Sequence, residues 1–117
     1  MNNVSIIGRL DKKPKLLKSR SGRDILRFII KIDRPYSSDD NLFQKVDYIP
    51  CFATDHKAVD IYSRLQPGHR IGITGHLQSY CKADKFSNAF NYHIEVYVDG
   101  YDFLTPRQPK CIEEESA

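Results

Sequence analysis

Two residue classes in this chain could act on a polyanion. Residues 1–34 hold ten Lys or Arg against three Asp, while the remainder holds eight basic and twelve acidic residues. The net charge of +3 conceals that division. A concentration of cations in one third of a chain is what a polyanion-binding face requires, although a solvated, solubilising surface has the same count. Nine of the ten are candidates for phosphate contacts: Arg9, Lys12, Lys13, Lys15, Arg20, Arg23, Arg27, Lys31 and Arg34. The second class is planar: Tyr36, Phe43, Tyr48, Phe52, Tyr80, Phe86, Phe90 and Tyr92 are candidate stacking platforms.

Other chemistries lack their residues. Cys51, Cys81 and Cys111 are widely spaced, odd in number and without a C-x-x-C, which argues against a disulfide scaffold or a zinc knuckle and fits a reducing cytosol. His56, His69, His76 and His93 have no tight ligand spacing. No nucleophile motif, phosphate loop or metal-spaced cluster is present, and "SSDDN" reads as acidic loop solvation. No enzyme, cofactor or metal is expected. No run approaches membrane-spanning length and the N-terminus has no signal-peptide core, so a cytoplasmic protein is expected.

The elements that must position these residues are mostly strands. In "DILRFIIKIDR", Leu26, Phe28, Ile30 and Ile32 share a wholly apolar face; Arg27 and Lys31 lie on the other. An unpaired buried charge is expensive, so Arg27 and Lys31 face solvent, an acidic partner or phosphate. "NNVSIIGRL" reads as a first strand with Val4, Ile6 and Gly8 on one side, and "LDKKPKL" as a turn or bulge at Pro14. "KSRSGRD" reads as a hairpin tip with Gly22 available for positive φ. "RPYSSDDNLFQK" is a polar loop. "KVDYIPCFA" alternates Tyr48, Pro50 and Phe52 against Ile49, Cys51 and Ala53; Pro50 implies a bulge or an edge there. One helix is expected over "TDHKAVDIYSRLQPG", capped by Thr54 or Asp55, burying Ala58, Ile61 or Tyr62, and Leu65, and ended by Pro67-Gly68. "RIGITGHLQSY" places Ile71, Ile73, Gly75 and Leu77 inward on a bent strand, "KADKFSNAF" is a hairpin loop, and the last strand sets Tyr92, Ile94, Val96 and Val98 on one face. Three strands, one helix and two strands make an all-β, five-stranded Greek-key barrel of the OB-fold type, with its helix between strands 3 and 4. One domain over 1–104 and a polar, disordered tail over 105–117 complete the reading.

Five segments, in order, resemble the bacterial single-stranded DNA-binding proteins. "NNVSIIGRLDKKPKL" is similar to their N-x-V-x-L-I-G-R-L-x-x-D-P opening, "FIIKIDRPY" to F-x-L-A-V-N-R-P-Y/F, and "VDYIPCFA" to D-F-I-x-C-V-x-W. "QPGHRIGITGHLQSY" resembles K-G-x-x-V-x-V-E-G-R-L-Q-x-x-x-Y, and "IEVYVDGYDFL" resembles T-E-V-x-A-D-x-V-x-F-L. The likeness covers residues 2–104. It implies an OB-fold homo-oligomer, a tetramer or else a dimer, that binds single-stranded DNA without sequence preference in replication, recombination or repair.

The resemblance places a DNA-stacking aromatic at Tyr48, with Phe52 two residues along the same face, and another in the hairpin at Tyr80 or Phe86. Tyr36 or Phe43 could do the same work in the loop after strand two. Packing within the protein is the competing role for each. Cations would then track phosphates while aromatics stack on bases. His76 stands where the family has an Arg, so that position contributes less charge at neutral pH. Lys57 and Arg64 belong to a solvated helix face. The end "CIEEESA" lacks the family's acidic-hydrophobic tip, so tail-borne protein partners are not expected; a short paralogue carried by a phage, plasmid or conjugative element is. Alternatives are a primosome-type OB protein that works through helicase-loading factors, a purely protein-binding OB module, and RNA binding.

Overall fold

The computed structural model describes residues 1–35, 45–83, 85–86 and 89–105. Among them the order is β1 (Val4–Leu10), β2 (Lys15–Lys18), β3 (Asp24–Asp33), β4 (Val46–Thr54), α1 (Asp55–Arg64), β5 (Arg70–Ala83) and β6 (Phe90–Phe103). The sixth strand arises because the Asp11–Pro14 bend divides the first stave in two. Both halves pair antiparallel with β3: β1 at Arg9↔Lys31 and Leu10↔Ile30, β2 from Lys15↔Arg27 to Lys18↔Asp24. Pro14 is buried at the break, where the ladder needs no N–H from it.

The sheet closes on itself. β1 pairs with β5, β5 with β6, β6 with β4, β4 with β3, and β3 returns to β1. All pairings are antiparallel except β4–β6, which run parallel at Cys51↔Val96 and Phe52↔Tyr97. This is an OB-fold barrel of five staves, with α1 joining the third and fourth. A Cβ on Gly8 would sit 2.5 Å from Ile30 Cγ2 and 2.6 Å from the Lys31 carbonyl oxygen, so the seam between β1 and β3 closes because residue 8 has no side chain.

Alternation fills the interior. Leu10, Leu26, Phe28, Ile30, Cys51, Ala53, Ile71, Ile73, Val96 and Val98 are buried, and α1 adds Ala58 and Ile61 with Leu65 just beyond it. Each large aliphatic is worth about 1.5–3 kcal/mol on burial. Of the two helix positions considered above, Ile61 is inside and Tyr62 is exposed. Thr54 occupies the helix N-cap without a capping hydrogen bond; its hydroxyl lies 2.9 Å from the Tyr97 hydroxyl instead. Gly22, at φ 84°, turns the β2–β3 hairpin.

One side chain expected inside is outside. Leu77 is exposed, as are Tyr92 and Ile94 on β6, because the core ends near Gly75 and Val96. Beyond that level β5 and β6 continue as a two-stranded arm, paired out to Ala83↔Phe90, and among the described residues no third strand joins it. The arm leaves the barrel at a bulge: Thr74 pairs with Gly100 and Gly75 with Val98, which strands Asp99. A Cβ on Gly75 would lie 1.9 Å from the Tyr97 carbonyl oxygen.

Pro50 causes no bulge. Its register with β3, Ile29↔Pro50, is regular. The Ile29 carbonyl accepts from the Asp11 N–H, so the pair does not exchange ladder bonds and the nitrogen of Pro50 points to the open side of β4.

Gly8→Ala should lower stability by about 1–3 kcal/mol, more if the backbone must move, and so depress the melting midpoint by roughly 4 °C or more. An unchanged midpoint in thermal denaturation would show that closure does not depend on this contact.

Candidate nucleic-acid interface

Register carries side chains from five strands into one line on the outside of the barrel. Lys15 on β2 stands opposite Arg27 on β3, Arg27 opposite Phe52 on β4, Phe52 beside Tyr97 on β6, and Tyr97 opposite His76 on β5. At roughly 4.8 Å per strand spacing the line is about 19 Å long. Its neighbours touch. The Arg27 guanidinium lies 5.7 Å from the Phe52 ring centroid. Phe52 and Tyr97 meet edge to face at 5.1 Å, and Tyr97 and His76 are also 5.1 Å apart. Such aromatic pairs add about 0.5–1.5 kcal/mol and hold the rings at fixed angles.

Tyr48 lies four residues from Phe52 along β4, beyond Pro50 on the same face, half exposed and opposite Lys31. Tyr80 stacks on His93 across the arm, centroids 4.9 Å apart and 20° from parallel. Phe86 is at the arm's end and exposed. Tyr36 and Phe43 lie outside the described residues. Below the line, Lys12, Lys13 and Lys15 border a groove of about 350 Å³ with Arg27, Ile29, Pro50 and Glu95. The bend at Asp11–Pro14 therefore brings its lysines to the same face as Arg27. Planar surfaces half open to solvent, interleaved with cations, can stack flat groups and neutralise anions at once.

Glu95 stands on this face as well. Its carboxylate is nearly buried and pairs with Arg27. Of the three partners possible for Arg27, the protein supplies the acidic one. Behind the line, burial and then the Glu95 charge push the Cys51 thiol up to about 12, so this sulfur is held as an unreactive core group. Among the described residues no group of His, Cys, Asp and Glu could hold a metal ion, and no helix is long and apolar enough to cross a membrane.

The model of the single-strand binding protein family matches residues 1–104. The chain belongs to that family. Its relatives include the single-stranded DNA-binding protein of Fusobacterium nucleatum, 39% identical over 67% of this chain and 51% of the relative. That of Clostridium tetani is 31% identical over 89% of this chain and 70% of the relative, and single-stranded DNA-binding protein 3 of Listeria innocua is 29% identical over 92% and 66%. The chain thus spans about half to two thirds of the length of these curated relatives.

In this family member the cations divide into two sets. Arg23 holds Asp55 through two hydrogen bonds of 3.0 and 2.7 Å, and Arg34 holds Asp47 in the same way at 3.0 and 2.7 Å. The hydrogen bond to each arginine holds its carboxylate below the usual range, and each guanidinium is raised in turn. Arg9 pairs with Asp33 at 3.1 Å. With Arg27, four of the nine candidates already have carboxylate partners. Lys12, Lys13, Lys15, Arg20 and Lys31 have no carboxylate within 4.0 Å among the described residues. An arginine of the first set must exchange a carboxylate for a phosphate; a residue of the second set need not. Lys57 and Arg64 are on α1, apart from the line, and Arg64 pairs with Asp60.

Sequence reasoning missed Tyr97, His93 and Glu95. Their signal was available: on β6 they alternate with Ile94, Val96 and Val98, which placed all three on the outer face. What alternation did not reveal was the parallel β4–β6 pairing that sets Tyr97 beside Phe52.

Proposed function

We propose that this chain binds single-stranded DNA without sequence preference and protects it during replication, recombination or repair, as a binding protein rather than an enzyme. The observation that carries this is the continuous outer line Lys15–Arg27–Phe52–Tyr97–His76, with Tyr48 beside it. It lies on the strand face by which OB-folds take up oligonucleotides, flanked by the β2–β3 turn and the β5–β6 arm that correspond to their binding loops. Tyr48 and Phe52 are the central stacking residues, joined by Tyr97. Tyr80 and Phe86 extend the surface along the arm, and Tyr36 and Phe43 are further stacking candidates by residue type. Phosphates fall to Lys12, Lys13, Lys15, Arg20 and Lys31, with Arg9, Arg23, Arg27 and Arg34 joining when their carboxylates are displaced. Residues 1–104 form the binding domain, 105–117 its tail, and the cytoplasm its location.

The protein works as a homo-oligomer, a tetramer in this reading. Support comes from the outer surface of β1, β5 and β6, where Ile7 and Leu104 are exposed around an apolar groove of about 310 Å³ that Gly72 leaves open. A two-sided apolar surface of this kind is suited to self-association.

Fluorescence titration with oligo-dT should give a submicromolar Kd that weakens steeply with salt, and duplex of the same length should bind far less tightly. Tyr48→Ala and Phe52→Ala should each cost about 1–3 kcal/mol, roughly 5- to 150-fold in Kd. Equal affinity for single and double strands would end this reading. By light scattering the protein should have the mass of four chains, reduced by Ile7→Asp; a monomeric wild type would remove the oligomer proposal and leave the binding proposal intact.

A further inference from the structure

A second line of cations crosses the barrel one pleat beyond the apolar groove. Arg9 on β1 is directly opposite Lys31 on β3 and directly opposite Arg70 on β5. Three positive side chains therefore sit in one register across three adjacent strands. Like charges placed directly opposite destabilise a sheet. A single carboxylate relieves them: Asp33 accepts from Arg9 at 3.1 Å. Arg70 and Lys31 have no carboxylate within 4.0 Å among the described residues; Asp102, opposite Gly72, is only diagonal to Arg70. The three cations border a cavity of about 410 Å³ whose wall includes the backbone at Gly8. On its far side Lys31 is opposite Tyr48, so the line Arg70–Arg9–Lys31 runs directly into a stacking residue of the proposed interface.

We propose that this row is a phosphodiester track that carries the strand off the stacking face, past Tyr48 and across the β3–β1–β5 seam, with Arg70 as its outermost contact. The proposal rests on the single-strand reading above and extends it to a part of the barrel remote from Phe52 and Tyr97. A row with two unneutralised cations, beside a cavity and continuous with a stacking platform, suits a backbone whose charges are spaced along a line, whereas an isolated anion would need one pocket. The energetic gain is the release of counterions from each phosphate neutralised.

The test compares a short oligo-dT, near the lower end of the ~4–16 nucleotides taken per OB-fold, with one at the upper end. For the longer strand, Arg70→Gln should reduce the log–log salt slope by about 0.7, the amount expected per phosphate on a single strand, and Arg70→Glu should weaken binding further. Arg70→Lys should restore the slope. Neither Gln nor Glu at this position should alter binding of the short strand. Melting curves establish that each variant is folded. An unchanged slope with the long strand overturns the track, as does an equal loss with both lengths. A change in solution mass without a change in slope also overturns it, and assigns Arg70 to a contact between copies. If the wild type binds neither strand, the single-strand reading itself fails.

Discussion

The architecture depends on closing a sheet at a seam where β1 and β3 meet over very few residues. β1 reaches β3 only at Arg9↔Lys31 and Leu10↔Ile30 before the chain bends away at Asp11. At that seam the backbones approach so closely that Gly8 must lack a side chain. Closure has two consequences. It seals Leu10, Ile30 and Ile71 inside, and it forces every alternate residue of the same strands outward. Charge on those outward positions is therefore not optional decoration of a free edge; it is distributed around a continuous surface.

The same closure makes function a matter of register. No individual strand carries the proposed interface. Lys15, Arg27, Phe52, Tyr97 and His76 come from five strands and are aligned by pairing alone. In and around that line the protein balances its own charge. Glu95 holds Arg27 against Phe52, and Asp47 and Asp55 hold Arg34 and Arg23. Such pairs keep flexible cations in defined places while leaving the lysines of the Asp11–Pro14 bend and the tip residue Arg20 without carboxylates among the described residues. A polyanion would meet a surface that is partly preorganised and partly unneutralised.

Period-two alternation made the barrel legible in the sequence. It separated Leu26, Phe28 and Ile30 from Arg27 and Lys31, and Cys51 and Ala53 from Tyr48 and Phe52, because a side chain's face is a local property of a strand. Failures came where position depends on what lies across from a strand. Leu77 alternates as a core residue does, yet it belongs to an arm that has left the barrel. Thr54 has the type of a helix cap, but Tyr97 takes its hydroxyl. Glu95 as the partner of Arg27, and Tyr97 as the neighbour of Phe52, follow from pairing between residues more than forty positions apart, for which one sequence offers no signal. Five family-like segments in order carried the fold and the family; the division of the cations into paired and unpaired sets needed coordinates.

In the proposed function the outer face of β3, β4 and β6 receives the strand. Photo-crosslinking with halogenated-uracil oligonucleotides, followed by peptide mapping, tests it directly. The crosslinks should fall at Tyr48, Phe52 and Tyr97, with further ones at Tyr80 on the arm. Crosslinks concentrated on α1, at Tyr62 or His56, with none on β4, would contradict it.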